Sequence, residues 1–292
     1  MHAILLIGKG FLGTYINDLF VKEGVDFVAT TRDGRDGTVQ WGFPEEFEKL
    51  DEPIDFSALP AAQTVVITFP LKGEEFAETL VDGYLKQHSS LEGFKPNWIY
   101  IGSTRGFKEI PSTRFTVSDV AAGGVRVEAE EFFIAKHNAQ VLNLAGLWGG
   151  KRAPRNWGRF FTDKKLLRTR LSLRERSLHL THCTDAARVV LAVARQNSDG
   201  HLPAGRWLVS DGNVYDMLEE LLADPVIRGL VEELIQEPEV QAMVGATEVD
   251  QIKLGDSVVT MRINPAHTWE QFGLQPKFPY VLHSDDPFQG EF

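Results

Sequence analysis

Cysteine is almost missing from this chain: Cys183 is the only one among 292 residues. No internal disulfide can form, and such sparing use of cysteine favours a reducing compartment. No apolar run reaches membrane-spanning length, and a strand-like stretch beginning at Ala3 leaves no room for a signal peptide ahead of it. The Asn-x-Ser/Thr acceptor for N-glycosylation is absent, as are repeats and low-complexity segments. A cytoplasmic protein is expected. Positive charge is also scarce, with 30 Lys and Arg against 41 Asp and Glu, a formal net charge of −11. A sequence-independent grip on nucleic acid or an anionic membrane needs clustered positive charge, so neither partner is expected. The one basic run, "KKLLRTR" (Lys164 to Arg170), reads as a solvated helix face.

What the chain does have is an ordinary globular composition and a glycine-punctuated start. At 43% hydrophobic residues it can bury one large core or two modest lobes. "AILLIGKGFLGTYI" (Ala3 to Ile16) runs from an apolar burst through Gly8, Gly10 and Gly13 into an amphipathic segment. In a Gly-x-Gly-x-x-Gly turn the first glycine makes the bend after a strand. The second admits a pyrophosphate, and the third lets helix and strand pack closely. Free N–H groups and the positive dipole end of the helix then face the anion. Phe11, Leu12, Ile16, Leu19 and Phe20 recur at helical spacing before Gly24 ends the helix, which gives the turn its strand–turn–helix context.

Strand-like and helix-like segments alternate over the first half. "VDFVATTR", "TVVITFP", "NWIYIGSTRG" and "AQVLNLAGLWGG" read as buried strands, with helices over "EEFAETLVDGYLKQH" and "RVEAEEFFIAKH". Near-continuous apolar strands separated by helices predict a parallel sheet covered on both faces. Ligands bind beyond the carboxyl ends of such strands. Those ends are Gly8–Gly10, Thr31–Arg32, Thr68–Pro70, Gly102–Thr104 and Leu147–Gly149, and they define one rim. From about residue 150 the chain turns basic, aromatic and loop-like. "LHLTHCTDAARVVLAVARQ" then returns to strand and helix, with Thr184 or Asp185 placed to cap the helix, and a helical stretch is interrupted at Pro225.

In this order the segments resemble the extended short-chain dehydrogenase/reductases of the NAD(P)-dependent epimerase/dehydratase type. The resemblance rests on the glycine turn, on "IGSTRGF" at the family's Ser/Thr-rich end of the fifth strand, and on "VLNLAGLWG" against an "lRlagiYG"-like strand. "LTHCTDAARVVLAV" and "FGLQPKFPY" match the family's later helix start and closing segment. The resemblance implies an α/β Rossmann-type doubly wound parallel sheet with a smaller C-terminal substrate lobe. Residues 1–149 and 176–200 would form the dinucleotide-binding domain, and residues 150–175 and 201–292 the lobe. It implies an oxidoreductase or epimerase-like activity on a small carbonyl or sugar-like substrate, and allows a homodimer.

The second strand bears on the cofactor. A carboxylate there holds the ribose 2′-OH of NAD, whereas an arginine accommodates the 2′-phosphate of NADP. "VATTRD" offers Thr30 and Thr31, then Arg32, while Asp33 opens the turn "DGRDG". NADP is therefore the expected cofactor and NAD the second choice. The cofactor-binding set is Gly8, Lys9, Gly10, Phe11, Leu12, Gly13, Thr31, Arg32, Thr68, Phe69, Pro70, Ser103 and Arg126.

Catalysis in the family uses a serine or threonine with a Tyr-x-x-x-Lys pair. The phenol passes a proton as the hydride moves. Thr104, with Ser103 beside it, fills the first role by resemblance. Aligned on "VEAEEFF", the tyrosine position falls on Ala122 and the lysine position on Arg126, so "AAGGVR" lacks the phenol. Tyr84, Tyr100, His182 and Tyr215 are alternative donors, Tyr100 reading as core and His182 as structural. A non-catalytic NADP-binding sensor is the alternative function.

Other chemistries are weaker. "GSTRG" places its serine one position early for a nucleophile elbow. His179 and His182, three apart on a strand, point to opposite faces, so no metal site is expected. Trp148, Trp157, Phe160 and Phe161 either line a substrate pocket or pack the lobe. Glu128, Glu130 and Glu131 read as a solvated helix face.

Overall fold

The structure is a computed structural model that describes residues 1–46, 53–107, 124–172, 176–198, 202–255, 257–259 and 262–284. Its strands are β1 (His2–Ile7), β2 (Phe27–Thr31), β3 (Val39–Gln40), β4 (Ala62–Ile67), β5 (Asn97–Ser103), β6 (Gln140–Leu144), β7 (Gly146–Trp148), β8 (Ser177–Leu178), β9 (Leu180–His182), β10 (Gly205–Val209) and β11 (Tyr215–Asp216). The helices are α1 (Phe11–Lys22), α2 (Glu74–Gln87), α3 (Val125–His137), α4 (Lys164–Leu171), α5 (Cys183–Ser198), α6 (Met217–Leu222), α7 (Pro225–Leu234), α8 (Pro238–Val244) and α9 (Ala266–Gln271).

Alternation along β1 shows why this sheet is covered on both faces. Ile4 and Leu6 point into a core shared with α1 and α5, while Leu5 and Ile7 point into a second core beneath α2 and α3. Seven strands, all parallel, stand in the order β10-β6-β5-β4-β1-β2-β3. The chain runs outward from β1 to β3, then crosses back to β4 and runs the other way. That reversal opens a crevice above the carboxyl ends of β1 and β4, the place where doubly wound sheets hold ligands.

Strand β10 lies in this sheet, although its residues follow the boundary at 200 drawn from the sequence. Trp207 and Val209 fill the α1/α5 core, and the strand pairs with β6 from Gly205↔Gln140 to Val209↔Leu144. A third core, outside the sheet, gathers Trp148, Leu167, Leu171, Leu218, Ile227 and Val231. It belongs to the smaller lobe, where the break at Pro225 is real: Asp224 caps α7 with its carboxylate on the N–H of Val226. Two of the four cations of the basic run on α4 have carboxylate partners, Lys164 with Glu233 and Arg168 with Glu237. No helix of the described residues is long and apolar enough to cross a membrane.

Several polar side chains sit away from where the sequence put them. Neither Thr184 nor Asp185 is seen to cap α5. The Nδ1 of His182 accepts the N–H of Thr184 instead, at 3.2 Å. Asp185 is buried and accepts the N–H groups of Lys277 and Phe278, both at 2.9 Å, tying the closing segment to the start of α5. Tyr84, offered as a proton donor, is core. Its hydroxyl accepts the N–H of Ala62 and donates to the carbonyl of Pro60, each at 3.0 Å, and burial pushes its pKa up to about 12. Tyr84→Phe leaves the Ala62 N–H without its partner, which costs about 1–3 kcal/mol. Urea unfolding is expected to show that loss with nucleotide affinity unchanged.

Candidate functional site

Each glycine of the first turn has a different job in the structure. Gly8 adopts φ +100°, where a side chain is strained, and an added Cβ would strike Thr68 Oγ1. Gly13 lies so close to β1 that an added Cβ would come within 2.5 Å of the Gly8 carbonyl oxygen. Gly10 is the contrast: its φ of −85° suits any residue, and no atom lies within 4 Å of the added Cβ. The first and third glycines therefore serve the fold, and the second keeps open the space above the N-terminus of α1. Thr30 and Thr68 fix the loop, Thr30 Oγ1 accepting the Gly8 N–H at 3.1 Å and Thr68 Oγ1 donating to the Gly8 carbonyl.

Two cavities flank this turn and share Thr68 as a wall. The first, of about 250 Å³, is lined by Gly8, Lys9, Gly10, Thr31, Arg32 and Phe69, joined by Arg35, Trp41 and Phe43. Around it Arg35 chelates Asp33 with two contacts of 3.1 Å and holds that carboxyl below the usual carboxylate range. Arg32 contacts the exposed Glu45 at 2.9 Å. Asp33 is thus a neutralised turn residue, and two guanidinium groups stand at the end of β2. Arg35, Trp41 and Phe43 were missed from the sequence, since nothing in "DGRDG" or "QWGFP" shows that the chain folds back over β2.

The second cavity, of about 590 Å³, opens beyond β5 and β6. Ser103, Thr104 and Arg126 line it, together with Arg105, Trp157 and His179. The remaining expected residues stand apart. Leu12 and Gly13 are buried under the turn, Pro70 is exposed outside both cavity walls, and Phe11 lies at the start of α1 beneath the guanidinium of Arg152, 4.8 Å from the ring centre. Of the aromatic cluster, Trp157 faces the cavity, Trp148 packs the lobe core and Phe160 is exposed.

Below Ser103 lies a feature opposite to expectation. Glu130, read as solvated, is 1% exposed. It accepts the N–H of Ser103 at 3.2 Å and the Nδ2 of Asn143 at 3.0 Å, and pairs with Arg206 of β10. Asn143 also donates to the Ser103 carbonyl at 3.2 Å, so the two peptide units that flank Ser103 at the end of β5 are both held. Glu128 and Glu131 do remain at the surface. Gly102 is required here because a Cβ would meet Glu130 at 2.5 Å.

No family model matches the chain, and no curated protein matches it. Solved structures do. A UDP-N-acetylglucosamine 4-epimerase from Bacillus cereus aligns over 97% of this chain and 96% of its own, at 14% identity and a TM-score of 0.58. A Thermus thermophilus UDP-glucose 4-epimerase in complex with NAD covers 99% of this chain and 100% of its own, at 12% identity and a TM-score of 0.59. A human epimerase family protein with NADPH covers 95% and 96%, at 13% identity and a TM-score of 0.53. The fold is that of the epimerase/dehydratases.

Within the epimerase/dehydratase fold the departures of this chain can be placed. None of its five tyrosines is followed four residues later by lysine. Ala122 lies outside the described residues, while Arg126 stands half-buried on the first turn of α3, at the cavity wall. The alternative donors all face elsewhere. Tyr100 stacks on Phe133 in the core, its hydroxyl accepting the N–H of Leu71 at 2.9 Å. His182 stacks on Phe278, and Tyr215 donates to Asp211 at 2.6 Å. Among the described residues no group of three or more His, Cys, Asp or Glu could hold a metal ion. His179 lines the cavity but its Nε2 accepts the N–H of Ile263 at 3.2 Å. Where the resemblance has arginine on the sixth strand this chain has Asn143, and Arg206 brings the cation to Glu130 from the neighbouring strand.

Proposed function

We propose that this chain is an atypical extended short-chain dehydrogenase/reductase that binds NADP(H) and acts as an oxidoreductase or epimerase-like enzyme on a small carbonyl or sugar-like substrate. The observation that carries the reading is the glycine turn, whose only sterically free member, Gly10, opens onto the N-terminus of α1. The sheet-based body, β10 included, carries the cofactor, and the lobe built around the third core completes the substrate side. When bound, the nicotinamide would supply the hydride. The chain's own part is to fix the cofactor's pyrophosphate on free N–H groups of α1 and the 2′-phosphate on Arg32 and Arg35, with Lys9 nearby. Thr104 and Ser103 would hydrogen-bond the substrate oxygen. Arg126 would place a cation at the nicotinamide ribose without serving as a tunable acid.

NADPH is expected to bind more tightly than NADH, as nicotinamide fluorescence titration would show. The Arg32–Glu45 pair is exposed and worth no more than about 1 kcal/mol, so a 2′-phosphate can displace Glu45. Arg32→Ala is expected to cost about 1.5–3 kcal/mol, or about 10–150-fold in NADPH affinity, while leaving NADH unaffected. Equal affinity for the two nucleotides would remove the NADP assignment.

A second reading, an NADP-binding sensor without turnover, is favoured by the missing Tyr-x-x-x-Lys pair. Losing a general acid costs about 10²–10⁴-fold in rate, which is compatible with either reading. NADPH oxidation that requires an added carbonyl compound, and that disappears in Thr104→Ala, would exclude the sensor.

A further inference from the structure

The cavity beyond β5 and β6 carries a charge pattern opposite to that of the whole chain. Acidic residues outnumber basic ones 41 to 30, yet Arg105, Arg126, Arg152 and Arg170 line this cavity and, among the described residues, no aspartate or glutamate does. The four come from separate places: the turn after β5, the start of α3, the loop after β7, and α4. Arg168 pairs with Glu237, Arg188 with Asp185 and Arg206 with Glu130. Arg126 differs, since its buried Nε has no hydrogen-bond partner. Arg152 rests on the face of Phe11, a contact that orients the guanidinium while leaving its charge uncancelled.

A low-dielectric cleft lined with one sign of charge concentrates ligands of the other, and arginine forks match the paired oxygens of phosphate and carboxylate. The cavity's size limits what that ligand can be. Its roughly 590 Å³ meets the cofactor cavity at Thr68 and has to accept the nicotinamide end as well. What remains suits a compact molecule better than a second nucleotide. We propose that the substrate is a compact oxyanion: a carbonyl or sugar compound bearing a phosphate or carboxylate group, held by the arginines of this cavity. The inference rests on the reading of the neighbouring cavity as the NADP(H) site.

The test is calorimetric titration of inorganic pyrophosphate and of citrate into the full chain saturated with NADPH, at about 0.15 M salt. At least one is expected to bind, and the tighter of the two identifies phosphate or carboxylate as the preferred group. Arg105→Gln and Arg170→Gln, neither of which belongs to the proposed cofactor site, are each expected to weaken that binding by about tenfold or more. Arg195→Gln, on the outer surface beside Glu23, is expected to leave it unchanged. Failure of both anions to bind, or equal binding by all three variants, would overturn the proposal. Glucose 6-phosphate is expected to displace the bound anion better than UDP-glucose; the reverse order overturns the compact class. If NADPH itself does not bind, the cofactor reading fails. The same variants on the free chain then decide the anion cavity separately, because neither touches the glycine turn.

Discussion

Arg206→Met is expected to destabilise the protein by about 3–5 kcal/mol, the usual result of removing one partner from a buried ion pair. The guanidinium it deletes is the cation on Glu130, which is 1% exposed and whose other hydrogen bonds among the described residues come from the Ser103 N–H and the Asn143 amide. Two neutral donors do not compensate a buried charge as a guanidinium does. Chemical unfolding monitored by tryptophan fluorescence reads the loss directly, since Trp207 neighbours the mutated position on β10. The double variant Arg206→Met with Glu130→Gln is expected to recover most of it, because glutamine keeps an acceptor for Ser103 without the charge. A double variant no more stable than the single one would show that the pair does not act as a unit.

Gly10→Val is expected to abolish NADPH binding in a protein that still folds. Its backbone is extended, with φ −85°, and a Cβ added there has no protein atom within 4 Å. What it fills is the space that a pyrophosphate would need over the start of α1. Gly13→Val is the control with the opposite signature, because its Cβ would collide with the Gly8 carbonyl and force helix and strand apart. Overpacking of this kind costs about 1–3 kcal/mol or more. Thermal unfolding with and without NADPH separates the two: a native melting temperature with no shift on nucleotide for Gly10→Val, and a lowered one for Gly13→Val. A Gly10→Val protein that binds NADPH normally would make the whole turn structural.

The sheet and the glycine turn were legible in the sequence because their causes are local. Each core strand is a short apolar run, and glycine at positions 8 and 13 answers two separate steric demands within one turn. The polar interior was not legible. Glu130 sits between two other acids on one helix, and only Arg206, met on a strand 76 residues later, turns it from a surface residue into a buried brace under Ser103. Asp185 occupies a capping position by sequence, yet its partners are backbone N–H groups 92 and 93 residues away. The cavity arginines share no period or motif; loops and helices from both lobes bring them together. β10 was placed in the wrong layer for a related reason. Its pattern marks a strand, but only its pairing with β6 says which sheet it joins.

The grip of Asp185 on Lys277 and Phe278 also bears on how the protein comes to be made. Until residue 278 has left the ribosome, the carboxylate at the start of α5 has only Arg188 beside it, and the ring of His182 lacks the Phe278 face on which it later stacks. The sheet can collapse earlier, around contacts that are all upstream. Asp185 gains the N–H groups of Lys277 and Phe278 only once that segment docks on the start of α5. A contact so distant in sequence forms slowly compared with local helix pairing.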